Sequence, residues 1–228
     1  TFKSRILKYY LKDLFNLMGI KEYQEISNLL QKTFEKLISN IQQISIGDRN
    51  IFPYGWRKSA KGRTVWRLIE EAIVQNLEYE PWKYNLKSVT PAESEVGIFD
   101  LALKYEGIDK KIYINIKSSV KNGRKNKDDI SKAIGLIDFV TQHPDDFIFI
   151  ITIEIDFSDS MNILLTNAFI MPTPWLPDIY VNPSNNGNLQ SSKYKDINLG
   201  IRRTNQEFLN ELRIAKEVAD QKKKRKIS

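Results

Sequence analysis

The chain has 228 residues, with 35 Lys plus Arg against 28 Asp plus Glu, a formal charge of +7 and a pI near 9.3. Hydrophobic residues make up 41%, enough for a packed core and too many for a disordered chain. There is no Cys and a single His, His143 in a polar His-Pro-Asp-Asp loop, which excludes disulfide frameworks, thiol nucleophiles and Cys/His zinc sites.

The first 46 residues read as helix. Ile6, Leu7, Tyr10, Leu11, Leu14 and Leu17 mark a short amphipathic helix ending near Gly19. Ile26, Leu29, Leu30, Leu37, Ile38, Ile41 and Ile44 mark a second one. This segment, 1–46, is a candidate dimer interface. A polar, basic connection over 47–63 leads into a third helix from Thr64 to Leu77, with Val65, Leu68, Ile69, Ala72 and Ile73 on its buried side.

Period-two patterning predicts a strand from Ile98 to Tyr105, a turn at Glu106 to Asp109 and a paired strand from Lys111 to Lys117. Asn126 to Thr141 reads as helix. Phe147 to Ile155 is a continuous apolar run, the mark of a central strand buried on both faces. Ile163 to Met171 reads as another strand, and Pro172, Pro174, Pro177 and Pro183 break a loop-rich stretch through Leu199. Thr204-Asn205-Gln206-Glu207 is a capping box opening a last helix over Phe208 to Ala219. The main domain thus covers 47–220, followed by a basic tail, 221–228, with Lys222, Lys223, Lys224, Arg225 and Lys226. The fold class is α/β or α+β: a central mixed β-sheet flanked by helices, with an N-terminal helical segment.

No run approaches the roughly 18 uncharged apolar residues of a membrane span. No signal peptide is visible, and the chain opens at Thr1 rather than Met, which leaves room for a short leader. The expectation is a soluble, cytoplasmic protein with no membrane partner, whose positive charge favours polyanions.

Asp100 lies on the first strand of the predicted hairpin and Asn115-Ile116-Lys117 on the second. Period two puts Asn115 and Lys117 on one face, where strand pairing brings Asp100 beside them. A carboxylate and a lysine on adjoining strands suit metal-assisted phosphodiester hydrolysis. The carboxylate holds a hydrated Mg²⁺, and the lysine steers or activates the attacking water.

This pattern resembles the PD-(D/E)XK nuclease signature, and the local text is similar to type II restriction endonucleases of the EcoRV and HincII kind. Four segments carry the resemblance, in matching order. Ile51-Phe52-Pro53-Tyr54-Gly55 precedes the helix bearing Glu70 and Glu71. Ile98-Phe99-Asp100-Leu101-Ala102-Leu103 holds the first metal position. Lys111 to Ser119 holds the core motif, and Asn182 to Ser192 resembles a base-reading loop. Phe99 stands where the family has Pro, without chemical consequence. Asn115 stands where the family has Asp or Glu, and an amide oxygen carries no charge. A loss of about 4 kcal/mol of transition-state stabilisation slows a reaction by ~10³-fold. Either the acidic ligand has migrated, to Glu70 or to Glu95, or the chain is a disarmed Asp→Asn variant.

The resemblance implies a restriction-endonuclease-like fold and a homodimeric, Mg²⁺-dependent enzyme that cuts both strands of duplex DNA at a short palindrome, leaving blunt ends. Asp100, Asn115 and the Ile116 carbonyl are the implied metal ligands. Lys117 and Glu70 complete the implied catalytic set. Ser118, Ser119, Lys121, Asn122, Arg124 and Lys125 follow the motif strand as phosphate or base contacts. Ser184, Asn185, Asn186, Gly187, Asn188, Gln190 and Ser191 form the reading loop, and its Asn and Gln residues are types that pair with adenine edges. The same features have blander origins. Asp100 at a strand end, Lys117 on an edge strand, Glu70 paired with Arg67 or Arg63, and Asn and Gly in a turn need no ligand. Trp66 and Trp82 read as core. A non-catalytic, sequence-specific DNA-binding protein, a repair or nicking nuclease, and a helical scaffold with a basic surface are the competing functions.

Overall fold

The computed structural model describes the backbone of residues 2–55, 61–93, 97–123, 127–184 and 187–227, and their side chains apart from 2–16, 61–64 and 226–227. The chain opens with a single long helix, α1 (Phe2–Ile41), and then a short strand, β1 (Gln43–Ser45). The predicted break near Gly19 is absent, and Ile44 belongs to β1 rather than to a helix. A helix-interior glycine costs only about 1 kcal/mol against alanine. Burial of Tyr23, Ile26, Leu30, Phe34 and Leu37, spaced three and four apart, outweighs that cost.

Helix α2 (Lys61–Tyr79) follows, burying Val65, Ile69, Ile73 and Leu77 while Leu68 is exposed. A 3₁₀ turn leads to β2 (Leu86–Pro91), a strand without a counterpart among the predicted elements, and then to β3 (Leu101–Tyr105) and β4 (Ile112–Val120). The crossover from β4 contains β5 (Asp128–Lys132) and α3 (Ala133–Gln142). The predicted helix over Asn126 to Thr141 is therefore strand in its first part. Ile130 is buried and the segment pairs with a later strand, β9, so a tertiary ladder overrides a helical pattern. Strands β6 (Phe147–Phe157) and β7 (Asn162–Pro172) match expectation. The proline-rich stretch contains β8 (Tyr180–Val181) and β9 (Asn188–Ser191), and α4 (Asn205–Ile227) ends the described chain.

Six strands form the main sheet in the order β1-β7-β6-β4-β3-β2; only β4 and β6 run parallel. The expected mixed sheet flanked by helices is thus the observed architecture. Strand β6 lies between β4 and β7, and from Phe147 to Ile155 every residue but Glu154 is buried, as a continuous apolar run requires. Tyr23 of α1 packs on Phe147 and Phe149, with ring centroids 5.0 and 5.5 Å away. On the other face Phe139 of α3 meets Tyr113 at 4.7 Å. A smaller sheet, β5-β9-β8, stands beside the β4 crossover.

The capping box is formed. Glu207 accepts from the Thr204 N–H at 2.8 Å, and the Thr204 hydroxyl oxygen accepts from the Glu207 N–H at 3.3 Å. Trp66 and Trp82 are not core: they are 38% and 69% exposed, because both fall on outward faces of their helical turns. Among the described residues no helix is long and apolar enough to cross a membrane.

Candidate active site

The β3–β4 ladder ends in an irregular step. Leu101 is the register partner of Ile114, yet Asp100 N–H also donates to the Ile114 carbonyl, at 2.8 Å. Two residues of one strand therefore meet one residue of the other, as in a bulge, which re-aims the side chain at the step. The Asp100 carboxylate turns onto β4 and accepts from Ile116 N–H at 2.5 Å.

Asn115 projects its amide into the same junction. Its Nδ2 donates to the Ile98 carbonyl at 3.3 Å and to the Ile130 carbonyl of β5 at 3.1 Å. Its Oδ1 is buried and has no hydrogen-bond partner. Lys117, two residues on and on the same face, is half-buried and in register with Thr152 of β6. The Thr152 hydroxyl is likewise buried and unpartnered.

Helix α2 packs against β4 and brings Glu70 to this group. Glu70 follows buried Ile69, its side chain is 14% exposed, and Arg67 lies 3.4 Å from its carboxylate. Burial pushes the Glu70 carboxyl up to about 7, and the Asp100 charge pushes the same way; Arg67 and Lys117 act against both. Burial also raises the Asp100 carboxyl, opposed by the Ile116 N–H, Lys117 and Arg67. Two carboxylates and two cations thus share one partly desolvated junction, an arrangement that disfavours the free dianion. Glu71, by contrast, is exposed and accepts from Gln75.

The remaining sequence candidates are spread around this centre. Ser118 is half-buried, and the Ser119 hydroxyl accepts from Lys195 Nζ at 2.7 Å. Lys121 and Asn122 are exposed at the β4 exit, and Asn122 has φ +58°, a left-handed conformation that Asn tolerates. Arg124, Lys125, Asn185, Asn186 and Glu95 lie outside the described residues. Ser184 is exposed, and its N–H donates to Asn182 Oδ1 in an Asx turn. Gly187, at φ +70° with open space around it, makes the turn into β9. Asn188 has a buried, unpartnered Oδ1. Gln190 donates to Asp129 at 2.6 Å and accepts from Asn182 at 3.2 Å. Ser191 is fully buried and its hydroxyl bonds Asp178. His143 stands apart, stacked on Phe139 at the end of α3 and bonded to Asp146.

Two neighbours of the site escape sequence reasoning. Thr152 is a single hydroxyl inside an apolar run, and its placement beside Lys117 is a matter of parallel register. Lys195 comes from a loop distant in sequence and carries no local signal. Among the described residues no group of three or more His, Asp or Glu side chains is arranged to hold a metal ion.

No protein-family model matches the chain, and neither does any curated protein. Among solved structures the chain is similar to the NlaIV restriction endonuclease, with 13% identity and a TM-score of 0.45. The match covers 74% of this chain and 66% of that one, so the chain spans just under two thirds of that neighbour's length.

Proposed function

We propose that the chain is a Mg²⁺-dependent type II restriction endonuclease that hydrolyses both strands of duplex DNA at a short palindromic site, acting as a cytoplasmic homodimer and leaving blunt ends. The observation that carries this reading is the Asp100 carboxylate on the Ile116 N–H, with Lys117 next along the same strand and Glu70, paired with Arg67, on the helix packed against it.

The donor set fits a hard divalent ion. Asp100 and Glu70 supply charged oxygens, Asn115 Oδ1 is an orphaned buried acceptor, and the Ile116 carbonyl leaves β4 on the side of its own N–H, toward Asp100. When bound, Mg²⁺ supplies an acidified water and neutralises charge developing on the phosphate. Lys117 holds its ammonium beside these oxygens, where it orients the nucleophilic water and stabilises the hydroxide. Arg67, 45% exposed in its side chain beside Glu70, offers a guanidinium to a phosphate oxygen.

Lys121, Asn122 and the Lys195–Ser119 pair continue the same surface as backbone contacts, joined by Ser118; Arg124 and Lys125, outside the described residues, are assigned the same role from their sequence position. The turn from Ser184 through Asn188 enters a groove to read bases. Gln190 and Ser191 act by stiffening that turn through Asp129 and Asp178. A two-fold dimer matches a palindrome and presents one centre to each strand.

One observation favours a second reading. Among the described residues the site has two carboxylates rather than three, which suits a sequence-specific DNA-binding protein that does not cut. Phage DNA incubated with the chain and Mg²⁺ separates the two. Discrete fragments that vanish in Asp100→Ala and Lys117→Ala establish the nuclease. Intact DNA with sequence-specific, metal-independent binding establishes the binding protein.

A further inference from the structure

We propose that Asn115 is a strut and a neutral oxygen donor: its Nδ2 ties the Ile98 and Ile130 carbonyls together, its Oδ1 is left for the cation, and Glu70 brings the site's second negative charge. The ligand half rests on the nuclease reading; the strut half stands without it.

The hydrogen bonds join segments that the sequence keeps apart. Ile98 leads into Asp100, Asn115 sits in the motif strand, and Ile130 lies in β5, which pairs with β9. One amide therefore fixes the bulged approach to Asp100 and docks the sheet carrying the Ser184–Ser191 region onto the site. Only a donor performs this task, because both partners are carbonyl oxygens. A carboxylate at 115 would set an anionic oxygen against them and strip both of their donor, in a partly buried place where unmet polar groups are costly.

The amide is polar at both ends, and the two ends have different fates. Nδ2 is saturated by two acceptors while Oδ1 is buried without any donor. A buried acceptor oxygen with no donor calls for a cation or a water. An Asn in the family's acidic position thus retains one ligand oxygen, and the missing charge comes from α2 through Glu70. The environment is complementary to the residue present, as expected of a native asparagine and not of a disarmed aspartate.

The test uses the full chain as wild type, Asn115→Asp, Asn115→Ala and Glu70→Gln. Each is melted in EDTA near pH 8, melted again with Mg²⁺, and incubated with phage DNA and Mg²⁺. In EDTA, Asn115→Asp and Asn115→Ala are expected to melt about 5 °C or more below wild type. Glu70→Gln is expected to melt at or above wild type in EDTA and to lose the Mg²⁺-induced rise. An Asn115→Asp variant as stable as wild type in EDTA, with a larger Mg²⁺ response or cleavage that wild type lacks, overturns the proposal. If Asn115→Asp does not fold, Asn115→Ala decides the strut, and unchanged melting rejects it. A Glu70→Gln variant that keeps the full Mg²⁺ rise rejects the ligand half. A wild-type chain that neither cuts nor responds to Mg²⁺ rejects the nuclease reading and the ligand half together, while melting of the Asn115 variants in EDTA still judges the strut.

Discussion

Asp100 and Asn115 each complete the backbone of the strand opposite: the Asp100 carboxylate takes the Ile116 N–H at 2.5 Å, and the Asn115 amide takes the Ile98 carbonyl at 3.3 Å. Both contacts lie beyond the last paired residues of the β3–β4 ladder, Leu101 and Ile114. There side chains join the strands in place of backbone rungs, forming a polar junction next to the start of β3. The junction is therefore built into the sheet rather than laid upon it.

Asp100→Asn keeps an acceptor for the Ile116 N–H and removes a charge that burial disfavours. Stability should stay within about 1 kcal/mol of wild type or rise slightly, while cleavage falls by ~10³-fold or more. Single-turnover cleavage alongside chemical denaturation checks both. A large loss of stability would assign Asp100 to the fold alone.

Glu70 predicts a pH dependence in the absence of metal. Its carboxyl is raised from its ordinary 4.5 to about 7, chiefly by burial. Below 4.5 it is protonated in the folded and unfolded chain alike and contributes nothing to the difference. Between 4.5 and about 7 the unfolded chain ionises first, so this group lowers stability progressively, by about 3 kcal/mol in full. Above 7 the penalty is constant. Glu70→Gln should match wild type at pH 4 and exceed it at pH 8 in EDTA, by urea denaturation; equal stability at both pH values would show that the shift is absent.

Thr152→Val exchanges a buried, unpartnered hydroxyl for a methyl of similar shape. The expected result is a gain of about 1 kcal/mol in stability. A loss instead would mean that the hydroxyl holds a bound water next to Lys117. Cleavage kinetics of the same variant would then report whether that water matters.

Tyr23→Phe probes the far side of the sheet. The Tyr23 hydroxyl donates to Asn205 Oδ1 at 2.7 Å and accepts from Ile148 N–H at 3.2 Å, so it links α1, β6 and the start of α4. Burial drives its ionisation far above the ordinary range, so it remains a neutral donor. Removing it orphans two buried groups and should cost about 2–3 kcal/mol, read as a melting midpoint roughly 5–10 °C lower, with cleavage at 25 °C unchanged. A shift under 1 °C would show that the helix docks by apolar contact alone.

The legible parts of this protein are those whose signal is local. The run Phe147–Ile155 announces a strand buried on both faces, since apolar residues on both sides of a pleat have nowhere else to go. Thr204 and Glu207 announce a helix start, since each satisfies the other's backbone. Asp100, Asn115 and Lys117 announce a polar cluster by period and pairing, and Glu70 by its place beside the buried stripe of α2. Tertiary packing decided the rest. Gly19 stays helical because Tyr23, Ile26, Leu30 and Phe34 bury a continuous face. Residues 128–132 become strand because β9 offers a ladder, with Asp129 paired to Gln190, 61 residues on in the chain and beyond any local cue. Trp66 and Trp82 look inward by composition but stand on outward faces of their helical turns, 38% and 69% exposed.

By itself the sequence determined the mixed sheet, the central strand and the residue types gathered at its motif strand, because periodicity and capping act within a few residues. What Asn115 does was decided only by the fold. An amide's meaning depends on which groups lie at its two ends, and here they come from Ile98 before one strand and Ile130 in another, brought together by the crossover between β4 and β6.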